Sequence, residues 1–184
     1  MTRVIQRGTR VGEVPPGSPR RLDPDELGDH VDRLFRAAWA LCGNPHDAED
    51  LVQETYARVL SRPRILHGSD HLGYLLRVLR NIHVDQLRRS GRRISAVPLD
   101  EDTTSPGNDL RLPEFAYEVA ELFTAISALP ADACEAIVAV DVAGLSYGEA
   151  ASALRVKEAT LTTRLHRARR RLARALTAES ASTR

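Results

Sequence analysis

Aromatic residues make up only 4% of this chain of 184 residues. Alanine, leucine and arginine dominate instead, and that balance favours helices over sheets. Cys42 and Cys134 are the two cysteines. They stand far apart in sequence with no paired, metal-type spacing, which excludes a disulfide framework and suggests buried, reduced thiols in a cytoplasmic protein. There is no long apolar run, so no membrane span is expected. The N-terminus has charges but no apolar stretch behind them, which excludes a secretory signal. His30, His46, His67, His71, His83 and His166 show no ligand spacing on one helix face, so no metal site is expected. No nucleophile motif and no glycine-rich phosphate loop occurs. An enzyme is therefore not expected, nor a cofactor. The net charge is only +1, so any basic surface must be local and offset by acidic surface elsewhere.

Such a local surface stands near the C-terminus. Gly144 to Leu176 reads as two helices with a tight break. Ser146 and Glu149 form a capping-box pattern ahead of the first. Ala150, Ala151 and Leu154 give it a small apolar face. The break at Arg155-Val156-Lys157 has the length of a helix-turn-helix turn. In the second helix Leu161, Leu165, Ala168, Leu172 and Ala175 recur at helical spacing. Lys157, Arg164, Arg167, Arg169, Arg170, Arg171 and Arg174 occupy its other faces against one acid, Glu158. The apolar face would hold the helix on its domain and the charged faces suit a phosphate backbone. A solvated helix closing a bundle is the plainer reading of the same pattern.

The remaining chain divides by composition. Residues 1–22 form a basic arm rich in Gly and Pro, expected to lack regular structure. Residues 23–93 read as one helical domain. Asp23-Pro24-Asp25-Glu26 opens a first helix whose apolar face is Leu27, Val31, Leu34, Phe35, Ala38 and Leu41. Gly43 stops it and Asn44-Pro45 starts a second, with Ala48, Leu51, Val52, Thr55, Tyr56 and Val59 inward. A third helix runs from near Asp70 to Ser90 with the stripe Leu72, Leu75, Leu76, Leu79, Ile82 and Leu87. Residues 94–113 are acidic, through Asp100, Glu101, Asp102 and Asp109, and broken by proline, as a linker would be. Residues 114–178 form a second domain that contains the helix-turn-helix, and residues 179–184 are a tail. The fold class expected is all-α: two small helical domains joined by a flexible linker.

The segments GNPHDAEDLVQET and YLLRVLRNIHVDQLRR, followed by ALP, GLSYGEAA and TLTTRLHRARRRL, resemble the two conserved regions of the bacterial extracytoplasmic-function (ECF) sigma factors of the sigma-70 family. The resemblance covers most of residues 25–93 and 114–176. It implies a protein that binds RNA polymerase core at the β′ clamp helices and the β flap, recognises promoter DNA and promotes initiation. It implies polymerase contacts from Asp50, Gln53 and Glu54. It implies minus-ten contacts from Tyr74, Arg77, Asn81, Asp85, Arg88, Arg89 and Arg92, where unpaired bases need stacking surfaces and donors. For the minus-thirty-five element it implies Lys157, Thr160, Thr163, Arg164, Arg167 and Arg171 on a recognition helix in the major groove. An anti-sigma partner is also implied, and no membrane.

Three departures from the family pattern stand out. Tyr74 replaces the usual Trp. Thr162 replaces a frequent Lys, which removes one phosphate contact. Arg155 replaces the usual Gly in the turn; since a left-handed residue there would strain an arginine, the expectation is a rebuilt turn. Two other readings fit the residues without the resemblance: a stand-alone helix-turn-helix regulator that binds duplex DNA unaided, and a helical adaptor that binds only protein.

Overall fold

The computed structural model describes the backbone of residues 19–21, 27–61, 65–67, 71–94 and 114–182, and side chains within 27–61, 71–90 and 117–177. The linker and most of the N-terminal arm lie outside the described residues. The arm's last residues, Pro19–Arg21 (β1), pair antiparallel with Ile65–His67 (β2). Everything else that is regular among the described residues is helical, as the composition predicts.

Helix α1 is Val31–Cys42. The sequence predicts one helix from Asp23; the structure interrupts it. Residues 27 and 28 are helical, 29 and 30 form a turn, and the helix then resumes. Gly28 sits at that point and contributes the poorest propensity of any non-proline residue. Val31, expected on the buried face, is 42% exposed. Leu34, Ala37, Ala38 and Leu41 make the buried face instead.

Gly43 ends α1 with φ 80°. Glycine is required there twice over. The left-handed angle is costly for any L side chain, and a Cβ would meet Ser127 Oγ at 2.6 Å. Asn44 Oδ1 then accepts from the Asp47 N–H at 2.8 Å and opens α2, Pro45–Ser61. Its inward residues Ala48, Leu51, Val52, Thr55 and Val59 are those the periodicity gives. Thr55 is fully buried because its hydroxyl donates to the Leu51 carbonyl at 2.7 Å. Helix α3, His71–Ile94, extends beyond the expected stop at Ser90. Its stripe is buried through Leu79 and Ile82, but Leu87 is 57% exposed, at the edge of a groove it shares with Leu41 and Leu129.

In the second half α4 is Glu114–Ser127 and α5 is Ala131–Ile137. The latter continues as a π turn, Val138–Val142, marked by Ala143 N–H donating to the Val138 carbonyl at 2.8 Å. Gly144, with φ 72°, ends it. Helix α6 is Tyr147–Leu154 with both halves of the capping box formed, a device that adds about 1 kcal/mol. Helix α7 is Glu158–Ser182 and packs on α5 through Leu161, Leu165 and Ala168.

The two helical units are packed against each other over one shared apolar core. Trp39 on α1 meets Phe123 on α4 edge to face, centroids 5.2 Å apart. Arg33 on α1 donates to the Ala143 carbonyl through Nε at 2.8 Å and through Nη2, and to the Gly144 carbonyl at 3.1 Å. Those oxygens end the π turn and have no helical donor of their own, so a cation from the other unit closes them. Arg80 on α3 pairs with Glu135 on α5 at 2.7 Å.

Candidate nucleic-acid and polymerase interface

The turn between α6 and α7 was expected to be rebuilt around Arg155. It is not. Arg155 itself takes the left-handed conformation, φ 56° and ψ 44°. Its N–H donates to the Ser152 carbonyl at 3.2 Å, and Val156 N–H reaches back to the Ala151 carbonyl at 3.0 Å. These are the two bonds of a Schellman stop. Closing both carbonyls, with Val156 packed against the core, outweighs the strain at one residue.

The residues expected on the recognition helix follow at once. Lys157, Thr160, Arg167 and Arg171 are exposed and clear of the core. Thr163 is exposed too, but its hydroxyl donates to the Ala159 carbonyl at 2.9 Å, and Thr162 does the same to Glu158. Arg164 is half-buried, its Nε 3.8 Å from the Asp132 carboxylate on α5. Arg169 faces away from this set. It grips Asp141 with two hydrogen bonds, at 3.0 and 2.6 Å, and ties α7 to the π turn. The cationic run is thus shared between a structural staple and a free face made by Arg167, Arg170, Arg171 and Arg174.

On α2, Asp50 and Gln53 are exposed. Glu54 is not free in the same way: Arg58 lies 3.0 Å from one carboxylate oxygen and Gln86 Nε2 donates to the other at 3.0 Å. The last bond ties α2 to α3. On α3, Tyr74 and Arg77 are half-buried and Asn81 is exposed. Arg77 Nη2 donates to the Ser152 carbonyl on α6 at 3.3 Å. Asp85 and Arg88 form a loose ion pair at 3.9 Å, Arg89 is exposed, and the Arg92 side chain lies outside the described residues. The Tyr74–Arg77–Asn81 surface and the turn residue Arg155 line one cavity. Periodicity within one helix gives no sign of this, because the cavity is made by two units.

A second groove between the units brings together Cys42, His83, Cys134 and Glu135. Both thiols are free. Burial, with Asp47 beside Cys42 and Glu135 beside Cys134, pushes each up to about 12. Neither is a thiolate at neutral pH, so neither is a ready nucleophile. Burial also lowers the His83 imidazole from 6.5, against the pull of Glu135 and Asp47. At the cap, Glu149 is held below its ordinary value by its bonds from Ser146. No helix among the described residues is long and apolar enough to cross a membrane.

This arrangement, a capped helix-turn-helix with a cationic outer face joined to a helical unit of α1 to α3, is matched by two family models. Sigma-70 region 2 matches residues 27–93 and sigma-70 region 4 matches residues 120–172. The chain belongs to the ECF RNA polymerase sigma factors. It is 40% identical over 165 residues to the ECF RNA polymerase sigma factor SigE of Mycolicibacterium smegmatis, covering 86% of this chain and 63% of that one. The chain therefore spans somewhat less than two thirds of that relative. It is 31% identical to EcfG of Rhodopseudomonas palustris, covering 85% of this chain and 86% of that one. Among solved structures it resembles the sigma factor RpoE in complex with the anti-sigma factor NepR from Bartonella quintana. The TM-score is 0.64 and the identity 29%, over 83% of this chain and 95% of that one. A second, CnrH in complex with the cytosolic domain of CnrY, shares the fold at TM-score 0.57 and 22% identity, over 84% and 86% of the chains.

Proposed function

We propose that this chain is a specificity subunit, not a catalyst: it binds the core of bacterial RNA polymerase, recognises the minus-ten and minus-thirty-five elements and promotes initiation. The observation that carries this reading is the helix-turn-helix of α6 and α7 with its free cationic face, set in one chain behind a region 2 unit. Asp50 and Gln53 supply the polymerase contact, with Glu54 supporting them from its bonds to α3. Tyr74, Arg77, Asn81, Asp85, Arg88, Arg89 and Arg92 serve the minus-ten element. Lys157, Thr160, Thr163, Arg164, Arg167 and Arg171 serve the minus-thirty-five element. Arg164 reads a base and Arg167 and Arg171 hold phosphates.

The packing of the two units bears on when this happens. The two promoter elements lie about 25 base pairs apart, which is roughly 85 Å of duplex. In the described conformation Arg77 and Arg155 line the same cavity. One body cannot meet both elements in that state, so the units separate on the polymerase. The neighbouring sigma factor solved in complex with an anti-sigma factor supports a partner of that kind.

The purified chain, incubated with core polymerase and run on a size-exclusion column, is expected to co-elute with it and to yield specific transcripts from a cognate promoter. Duplex binding by the chain alone as a dimer, without core, would establish a stand-alone regulator instead. Indifference to both core and DNA would establish an adaptor.

A further inference from the structure

The cavity between the units is lined by Arg58, Tyr74, Arg77, Asn81 and Arg155, with valine side chains at its edge, and holds about 260 Å³. Its lining carries three guanidinium groups and no carboxylate. Arg58 is partly answered by Glu54 at 3.0 Å. Arg77 spends one N–H on the Ser152 carbonyl, while its Nε is shut off from solvent without an acceptor among the described residues. Such a buried donor is destabilising unless something accepts from it.

Arg155 adds a second, independent sign. It is the one non-glycine residue with positive φ among the described residues. Glycine would make the same turn without the strain that an L side chain carries there. Strain held at a residue whose side chain lines a cavity points to a use for that side chain. The turn brings Arg155 to the same cavity as Arg77, from the opposite unit.

We propose that this cavity binds a free nucleoside phosphate. Arg77 and Arg155 take the phosphates through charge-assisted hydrogen bonds, with Arg58 at the rim. Tyr74 offers the base an aromatic face, and the Asn81 amide can both donate to it and accept from it. At about 260 Å³ the cavity is slightly smaller than the usual small-molecule pocket of roughly 300–1,000 Å³, so it takes the phosphates with the base reaching its mouth. Because the cationic groups come from both units, the ligand holds the units together. It also occupies Tyr74, Arg77 and Asn81, so it competes with the minus-ten element. That consequence rests on the promoter assignment above; the binding itself does not.

The test uses the full chain, with GTP as probe, inorganic pyrophosphate as a probe lacking the base, and a short single-stranded deoxyoligonucleotide. Binding is read by calorimetry, and closure by energy transfer between dyes on the two units. GTP is expected to bind, to raise the melting temperature and to keep the dyes close. Pyrophosphate should bind more weakly, and the oligonucleotide should separate the dyes. Arg155→Gly removes the charge and relaxes the backbone, so it should fold at least as well as the parent yet bind GTP about tenfold or more weakly. Arg155→Lys should recover part of the loss. The proposal is overturned if GTP does not bind, if Arg155→Gly binds it as well as the parent, or if only the oligonucleotide binds, which would leave these residues to promoter DNA alone.

Discussion

The Glu135 carboxylate on α5 lies 2.7 Å from Nε of Arg80 on α3 and is only 10% exposed. The pair joins the two units at a point where water cannot replace either partner easily. Removing one member leaves the other charged in a poorly solvated place, which is the costly way to break such a pair. Arg80 is 30% exposed, so the penalty is reduced. Glu135→Ala is expected to lower stability by about 1–3 kcal/mol. It should also open the body, seen as a larger radius of gyration in small-angle scattering. An unchanged radius with unchanged stability would show that the pair does not hold the units together.

The proposed polymerase contact separates into free and tied residues. Asp50 is exposed with no structural task, so Asp50→Arg should weaken core binding by opposing complementary charge. Its effect on folding should stay within about 0.5 kcal/mol. Glu54→Arg should weaken core binding and also destabilise, because it discards the bond from Gln86 and sets like charge against Arg58. Pull-down titrations beside thermal melts distinguish the two. Equal core affinity for Asp50→Arg and the parent would remove Asp50 from the interface.

At the minus-thirty-five element the expected split is between reading and positioning. Arg164→Ala should cost about 1–3 kcal/mol on the preferred sequence and relax discrimination at one base. Arg171→Ala should weaken binding on all sequences alike and lower its salt dependence. Asp132→Ala frees Arg164 from its partner on α5 and should leave base preference intact. Holoenzyme binding to single-base promoter variants at several salt concentrations measures all three. A uniform loss from Arg164→Ala would assign that residue to the backbone.

His83 makes the interface sensitive to acid. Burial lowers its folded-state value below 6.5, so the folded protein takes up the proton less readily than the unfolded chain. The neutral imidazole's stabilisation is complete above the unfolded value and is lost as pH falls from there through the folded one. The charges that face it are Asp47 from α2 and Glu135 from α5, with the neutral thiol of Cys42 3.8 Å away. The melting temperature should therefore fall between pH 7 and about pH 5. His83→Gln should show a shallower fall over that interval. Equal slopes for both proteins would assign the acid sensitivity to other groups.

Much of the local structure was legible in the sequence because it is decided locally. Gly43, Asn44-Pro45, Gly144 and the Ser146–Glu149 box end or begin helices through bonds made within a few residues, so they can be read in order along the chain. The buried stripes of α2, α3 and α7 follow from helical spacing for the same reason. The residues proposed for polymerase and promoter were named from motifs that are contiguous in sequence, which is why they could be named without the fold. Departures occurred where tertiary position ruled. Leu87 has the right spacing for a core residue but lies at an open groove between the units. Val31 does too, yet the turn at residues 29 and 30 sets where α1 begins. Arg155 was expected to change the turn, but the carbonyls it closes fix the backbone first.

What the sequence by itself determined is most of the helices and those of their caps that are closed locally, at Gly43, Asn44, Gly144 and Ser146. Only the tertiary structure decided that Arg33 closes the π turn of the other unit, that Arg80 meets Glu135, and that Arg77 and Arg155 share a cavity. Those partners are separated by 55 to 111 positions in the chain. No spacing rule within a helix can pair them. They meet because Trp39, Phe123 and the apolar faces around them bury one another, and that burial brings the two units into contact.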